Sequence, residues 1–233
     1  ASVNILRSTD NGSSFDNVTS PTASNLEDVT FGNNTFVAVG YSGTIVRSTD
    51  NGSSFDNVTS GTNQNLFGVT FANNTFVAVG VDGNIVRSTD NGSNWDNATT
   101  SNGTRLRGVT FGNNTFVAVG DNGTIVRSTD NGTNWDNATT DNSTTNILSG
   151  VGVGNNTFVG VGASGNIVRS TDNGSSWDNA TSPTGNNINA VTFGNNTFIG
   201  VGASGNIVRS TDNGSSWDNV TSPTGNDLNG VTF

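Results

Sequence analysis

An eight-residue phrase, Ser48-Thr49-Asp50-Asn51-Gly52-Ser53-Ser54-Phe55, returns throughout the chain. It begins again at Ser8, Ser88, Ser128, Ser170 and Ser210, so six copies follow one another at offsets of 40, 40, 40, 42 and 40 residues. A fixed period of this size marks a repeat architecture, in which each unit is one supersecondary element that buries its faces only against its neighbours. The whole chain, 1–233, is therefore expected to form one repeat domain.

The phrase is a turn between two strands. Ile45-Val46-Arg47-Ser48 is β-branched and apolar before it becomes polar, which reads as a strand. Asp50-Asn51-Gly52 follows as the turn, since Asp and Asn side chains bond nearby backbone amides and Gly tolerates positive φ. An aromatic opens the returning strand: Phe15 and Phe55 in the first two copies, then Trp95, Trp135, Trp177 and Trp217.

Four strands recur per unit. Strand A is Val69-Thr70-Phe71 and its equivalents; strand B begins at Thr35, Thr75, Thr115, Thr157 and Thr197; strand C is Ile85-Val86-Arg87-Ser88; strand D runs from Trp95 to Thr99. Asn-Asn, Asp-Gly and Asn-Gly turns separate them, and no segment carries a sustained 3.6-residue apolar period. Short, evenly spaced strands with polar turns predict an all-β fold, a β-propeller with four-stranded blades of about 40 residues.

Strands A, C and D occur six times but B only five. The chain starts inside a unit, with Val3-Asn4-Ile5-Leu6 entering strand C, and ends on strand A at Val231-Thr232-Phe233. Both termini are therefore expected to share one closing blade that lacks its second strand. Its A and C strands would then lie about 9.5 Å apart, two strand spacings, too far for direct pairing. The alternative is five full blades with projecting terminal strands. Either arrangement leaves open strand edges, which are templates for another chain, so Val3 to Leu6 and Val231 to Phe233 are candidate assembly strands joining copies by strand addition.

The pattern S-x-D-x-G-x-x-[W/F] resembles the Asp-box of the BNR-repeat propellers, also carried by sialidases and sortilin-type receptors. The order VTF, NNTFVAVG, GTIVRSTDNGSSW resembles the blades of the photosystem II assembly factor family. The resemblance implies that Asp10, Gly12, Asp50, Gly52, Asp90, Gly92, Asp130, Gly132, Asp172, Gly174, Asp212 and Gly214 are structural box residues, along with the four Trp, and lie away from any active site. A sialidase would need an arginine cluster, a tyrosine with a glutamate partner and an acid/base aspartate. The single Tyr41 and single Glu27 share one unit without the rest, so the resemblance stops at the fold.

Composition narrows the function classes. The formal charge is −10, with eight Arg and no Lys, which argues against nucleic acid and anionic membrane surfaces. No apolar run is long enough to span a bilayer. Without Cys or His there is no disulfide, thiolate metal site or Ser-His or Cys-His catalysis. Outside the box and the Arg-facing strand position, the carboxylates are Glu27, Asp28, Asp82, Asp121, Asp141 and Asp227; Asp82 and Asp121 read as turn residues. No catalytic residue, cofactor or metal site is expected. Arg47 and Asp56 are predicted to face each other across the hairpin, as an ion pair repeated in every unit. Arg105 and Arg107 fall outside the repeat and read as a solvated loop.

N-x-[S/T] occurs 20 times, for example at Asn11, Asn17, Asn33, Asn51 and Asn57. These are candidate glycosylation sites if the chain is exported. The Ala1 start matches a mature chain after signal cleavage. The expectation is a secreted, non-catalytic structural protein that self-associates into an oligomer or filament. The alternatives are a carbohydrate-binding propeller, in which the Trp residues would have to be exposed, and a protein-binding assembly scaffold.

Overall fold

The computed structural model describes residues 3–100, 103–140 and 146–233. Five antiparallel sheets carry the sequence order A-B-C-D, each beginning on a long strand A: Leu26–Gly32, Leu66–Ala72, Leu106–Gly112, Leu148–Gly154 and Ile188–Gly194. We number these blades 1 to 5. Strand A is seven residues rather than three, because it also takes in the three positions ahead of Val29 and its equivalents, opening on a Leu or Ile, and one residue beyond the triplet, with a bulge between Leu66 and Gly68 in blade 2. Strands B (Thr75–Gly80) and C (Ile85–Ser88) fall where their apolar runs predict. The Asn-Asn link from A to B has both residues at positive φ, 47° and 58° at Asn73 and Asn74. That is the twist a two-residue hairpin needs, and Asn tolerates it best after Gly.

Strand D departs from expectation. It covers only Asp96–Asn97 in blade 2, and Thr99–Thr100 leaves the sheet to pair in parallel with Asn134–Trp135 of blade 3. Thr139–Thr140 does the same to blade 4. The two extra residues of the longer period, near Asp141 to Thr145, lie outside the described residues.

Each joint between consecutive blades holds an apolar cluster. The joint from blade 1 to blade 2 combines Val37, Val39 and Ile45 with Leu66, Val69, Phe76, Ala78, Val86 and Trp95, and the pattern recurs at the next three joints. One face of a blade presents the two Val of strand B; the opposite face of the next blade receives them. Alternation along B thus serves two neighbours at once, as expected for a strand buried on both faces.

The termini flank these blades. Ile5–Arg7 pairs with Asp16–Val18 as a two-stranded hairpin, a strand C and strand D without A or B. Val3 and Asn4, taken as part of that strand, lie before its first paired residue. Residues 227–233 lie along blade 5 where the next strand A would run: Leu228 N donates to Gly202 O at 3.0 Å and Asn189 Nδ2 to Leu228 O at 3.0 Å. Val231-Thr232-Phe233 nevertheless forms no strand, because no B strand among the described residues pairs with it.

Candidate functional site

The box is a closed hydrogen-bonding knot. In blade 2, Ser88 Oγ donates to Asp90 Oδ1 at 2.8 Å and accepts from Gly92 N at 2.9 Å. Asp90 Oδ1 also accepts from Asn94 N, and Oδ2 from Asn94 Nδ2 at 2.7 Å. Trp95 Nε1 closes the turn on Gly92 O at 3.1 Å. The carboxylate bonds recur about Asp10, Asp50, Asp130, Asp172 and Asp212, and the indole bond at Trp135, Trp177 and Trp217 but not at Phe15 or Phe55. Donors aimed at the ionised form hold Asp10, Asp90 and Asp212 at about 2. Side-chain and backbone bonds from Ser14 come first for Asp10, and bonds from Asn94 for Asp90. Both oxygens of each box carboxylate are engaged in turn bonds, so the box fixes a hairpin rather than offering ligands.

The Trp side chains are buried, from 2% exposed at Trp177 to 6% at Trp95 and Trp217. They pack on the Phe of strand B, with ring centroids 6.3 Å apart for Phe76 and Trp95. They therefore give no platform on which a sugar could stack. Asn11, Asn17, Asn33, Asn51 and Asn57 all lie exposed.

The arginine of strand C does not do what its position implies. Arg47 and Asp56 are register partners, as predicted, but among the described residues the only ion pairs are those of Arg105 and Arg107 with Asp121. Arg47 instead reaches forward, donating from Nε to Asn91 O of the next box at 2.7 Å; Arg169 reaches Asn213 O at 2.8 Å. Asn91 Nδ2 returns a bond to Thr35 Oγ1 of the preceding strand B at 2.6 Å. The box turn is thus a latch between blades. Arg107 lies within strand A rather than in a loop, bound to Asp121, and Arg105 sits over the Phe67 ring at 5.3 Å.

Asp28 was given no role by the sequence. Its carboxylate accepts from Val29 N and from Val69 N of the next blade, both at 2.8 Å. Part of it meets water, yet the protein crowded around it removes enough solvation to raise its pKa, against the pull of those two donors.

The feature that differs from the repeat is the seam between the termini. Arg7 latches onto Asn51 O at 2.7 Å, holding the N-terminal hairpin against blade 1. The groove between them has a volume of about 460 Å³ and is lined by Ile5, Leu26, Val29, Phe36, Ala38 and Phe55 among others. Apart from Ile5, these are the positions that, one blade on, receive the two Val of the preceding strand B. Val29 is 57% exposed where Val69 is 6%. On the far lip, the Gly12 turn touches nothing that a side chain there would meet, whereas Gly92 and Gly214 are packed by an Arg and a Val of the preceding blade. Leu6, Phe15, Phe31 and Phe233 are each more than half exposed. No hydrogen bond among the described residues joins residues 227–233 to the hairpin or to blade 1. Among the described residues no strand B fills this place, and the ring is unfastened there.

This architecture is a β-propeller. A family model described as the DUF6242 beta propeller domain matches residues 69–184. Among solved structures, YCF48 from Cyanidioschyzon merolae is similar at a TM-score of 0.68 and 21% identity, covering 89% of this chain and 76% of that one. YCF48 bound to D1 peptide matches at 0.68 and 20%, covering 87% and 68%. The computationally designed Ika8 protein matches at 0.74 and 13%, covering 94% and 69%. At such identities the likeness is one of fold, and the chain resembles the photosystem II assembly factor propellers in that sense. The comparison with curated proteins finds no match.

Proposed function

We propose that the chain is a non-catalytic, extracellular scaffold that joins polypeptide to polypeptide, in the first place copy to copy, through its unfastened blade. The observation that carries this reading is the seam, where an apolar groove and an open strand edge lie side by side. An exposed edge beside an apolar slot is the arrangement that strand addition uses, backbone bonds giving affinity and pockets giving selectivity. A similar propeller, YCF48, has been solved bound to a peptide, which supports peptide binding on this fold without identifying a site here. The box carboxylates, each engaged in turn bonds, and the absence of His and Cys favour a non-catalytic role. Exposed sequons and the lack of oxidisable sulfur suit the outside of a cell.

Electron microscopy and light scattering of the purified chain test the proposal. Regular oligomers or filaments are expected, and deletion of residues 1–7 should abolish them while the five blades stay folded. Strictly monomeric protein at high concentration, or assembly indifferent to that deletion, would refute it.

A further inference from the structure

Resting on that reading of the seam, we propose the identity of the strand it accepts: an extended segment of the class Thr-Phe-Val-(Ala/Gly)-Val-Gly, lying antiparallel to Ile5–Arg7. The groove continues an interface that the chain builds four times over between its blades. In each of those joints the strand presenting its two Val or Ile belongs to this class: Thr35–Gly40, Thr75–Gly80, Thr115–Gly120 and Thr157–Gly162. The occupied joints therefore specify what the vacant one lacks, residue by residue.

Register supplies the fit. In blade 2, Phe76 opposes Ser88 and Phe71, Val77 opposes Arg87, Ala78 opposes Val86 and Val69, and Val79 opposes Ile85. Transferred to the seam, the donor Phe lies opposite Ser8 and Phe233, its first Val opposite Arg7, its small residue opposite Leu6 and Val231, and its second Val opposite Ile5. The donor Thr meets Asn51. In blades 2, 3 and 5 the equivalent Asn donates to such a Thr hydroxyl at 2.6 Å, whereas the Asn51 side chain makes no hydrogen bond among the described residues. The donor Phe enters between Phe233 and Phe15, which are 68% and 60% exposed; in blade 2 the corresponding Phe76 is wholly buried between Phe71 and Trp95. Both Val side chains point into the groove.

Two positions select against other strands. The fourth must be small: in every blade it is Ala or Gly facing the Val of strand C, and the seam places the larger Leu6 there. The last must be Gly, since a Cβ on Gly40 or Gly80 would overlap the carbonyl of Asn25 or Asn65. A generic β-strand meets neither condition. The four strands of this class within the chain, and Thr197–Gly202 with Ile for the first Val, are all central in their sheets.

The test is titration of the full chain with the synthetic peptide Asn-Asn-Thr-Phe-Val-Ala-Val-Gly by calorimetry, with light scattering on the same samples. One peptide per chain is expected, with new amide protection at Ile5–Arg7 and Val231–Phe233. Replacing both peptide Val by Asp should abolish binding. Val29→Arg, at an exposed groove position, should weaken it roughly tenfold or more. Absence of binding, equal binding of the Asp peptide, or binding indifferent to Val29→Arg would overturn the inference. If the chain assembles and the peptide neither binds nor disperses the assembly, the scaffold reading stands and this inference fails. If the chain stays monomeric yet binds the peptide with these selectivities, the inference stands and self-association fails.

Discussion

Arg7 Nε donates to the backbone carbonyl of Asn51 at 2.7 Å, the bond by which Arg47 holds Asn91 one blade further on. The N-terminal hairpin is therefore seated as half a blade, by a latch that the repeat supplies, although it shares no sheet with blade 1. The seam groove lies between the two, lined by both. Because the hairpin lacks its own A and B strands, that latch is a large part of what positions it. Arg7→Ala should raise amide exchange across residues 5–18 while moving global stability by only about 1 kcal/mol, the worth of one hydrogen bond. Exchange mass spectrometry with a parallel denaturant melt separates the two readouts.

The box knots test the structural role of the repeated phrase. Ser88 is 2% exposed, and its hydroxyl is the acceptor for the buried Gly92 amide. Ser88→Ala leaves that donor without a partner, and the expected loss is about 1–3 kcal/mol in a urea melt. Ser8→Ala removes the equivalent bond from an exposed turn, where water replaces the hydroxyl. Its cost should be clearly smaller, and equal costs would mean that burial is not what makes the box matter.

Acid stability follows from the same bonds. Asp10, Asp90 and Asp212 are held at about 2 in the folded chain, against about 3.9 for an unfolded Asp. As pH falls, the unfolded chain takes up protons first, so the stability these groups contribute is present in full above about pH 4 and is lost toward pH 2. Asp28 works in the opposite sense, since its raised pKa lets the folded chain bind its proton first. The urea midpoint should stay nearly flat from pH 7 to about 5 and drop steeply only below about pH 4. A steep loss already at pH 5 would contradict the knot.

Much of this was legible in the sequence because the repeat reports it many times. The turn at Asp50-Asn51-Gly52, the limits of Thr75–Gly80 and Ile85–Ser88, and the shortage of one strand B all follow from alternation and turn chemistry. What could not be read was which neighbour a side chain serves. Arg47 and Asp56 are register partners, yet Arg47 leaves the sheet for the next blade. That choice depends on the packing of two units against each other, and a pattern within one unit is blind to it. The parallel pairing of Thr99–Thr100 with blade 3 and the reach of Asp28 to Val69 were hidden for the same reason. The 44-residue span from Arg47 to Asn91, close to one period, is the signal that could have exposed the latch.

The last prediction compares one repeat position inside and at the edge of the ring. Leu66 is fully buried, packed against the strand B valines of blade 1. Leu26 holds the same position in blade 1 but only lines the seam groove and stays partly exposed. Leu66→Ala should cost about 2–5 kcal/mol, as truncation of a packed core side chain does. Leu26→Ala in the isolated chain should cost markedly less, because part of its surface already meets water and no valine is there to lose contact. If a strand seats in the groove, that difference must shrink: melted in the presence of a saturating strand, Leu26→Ala should forfeit most of the stabilisation that the wild-type chain gains from it. Equal costs for the two leucines in the isolated chain would mean that the seam is closed in solution by some other contact.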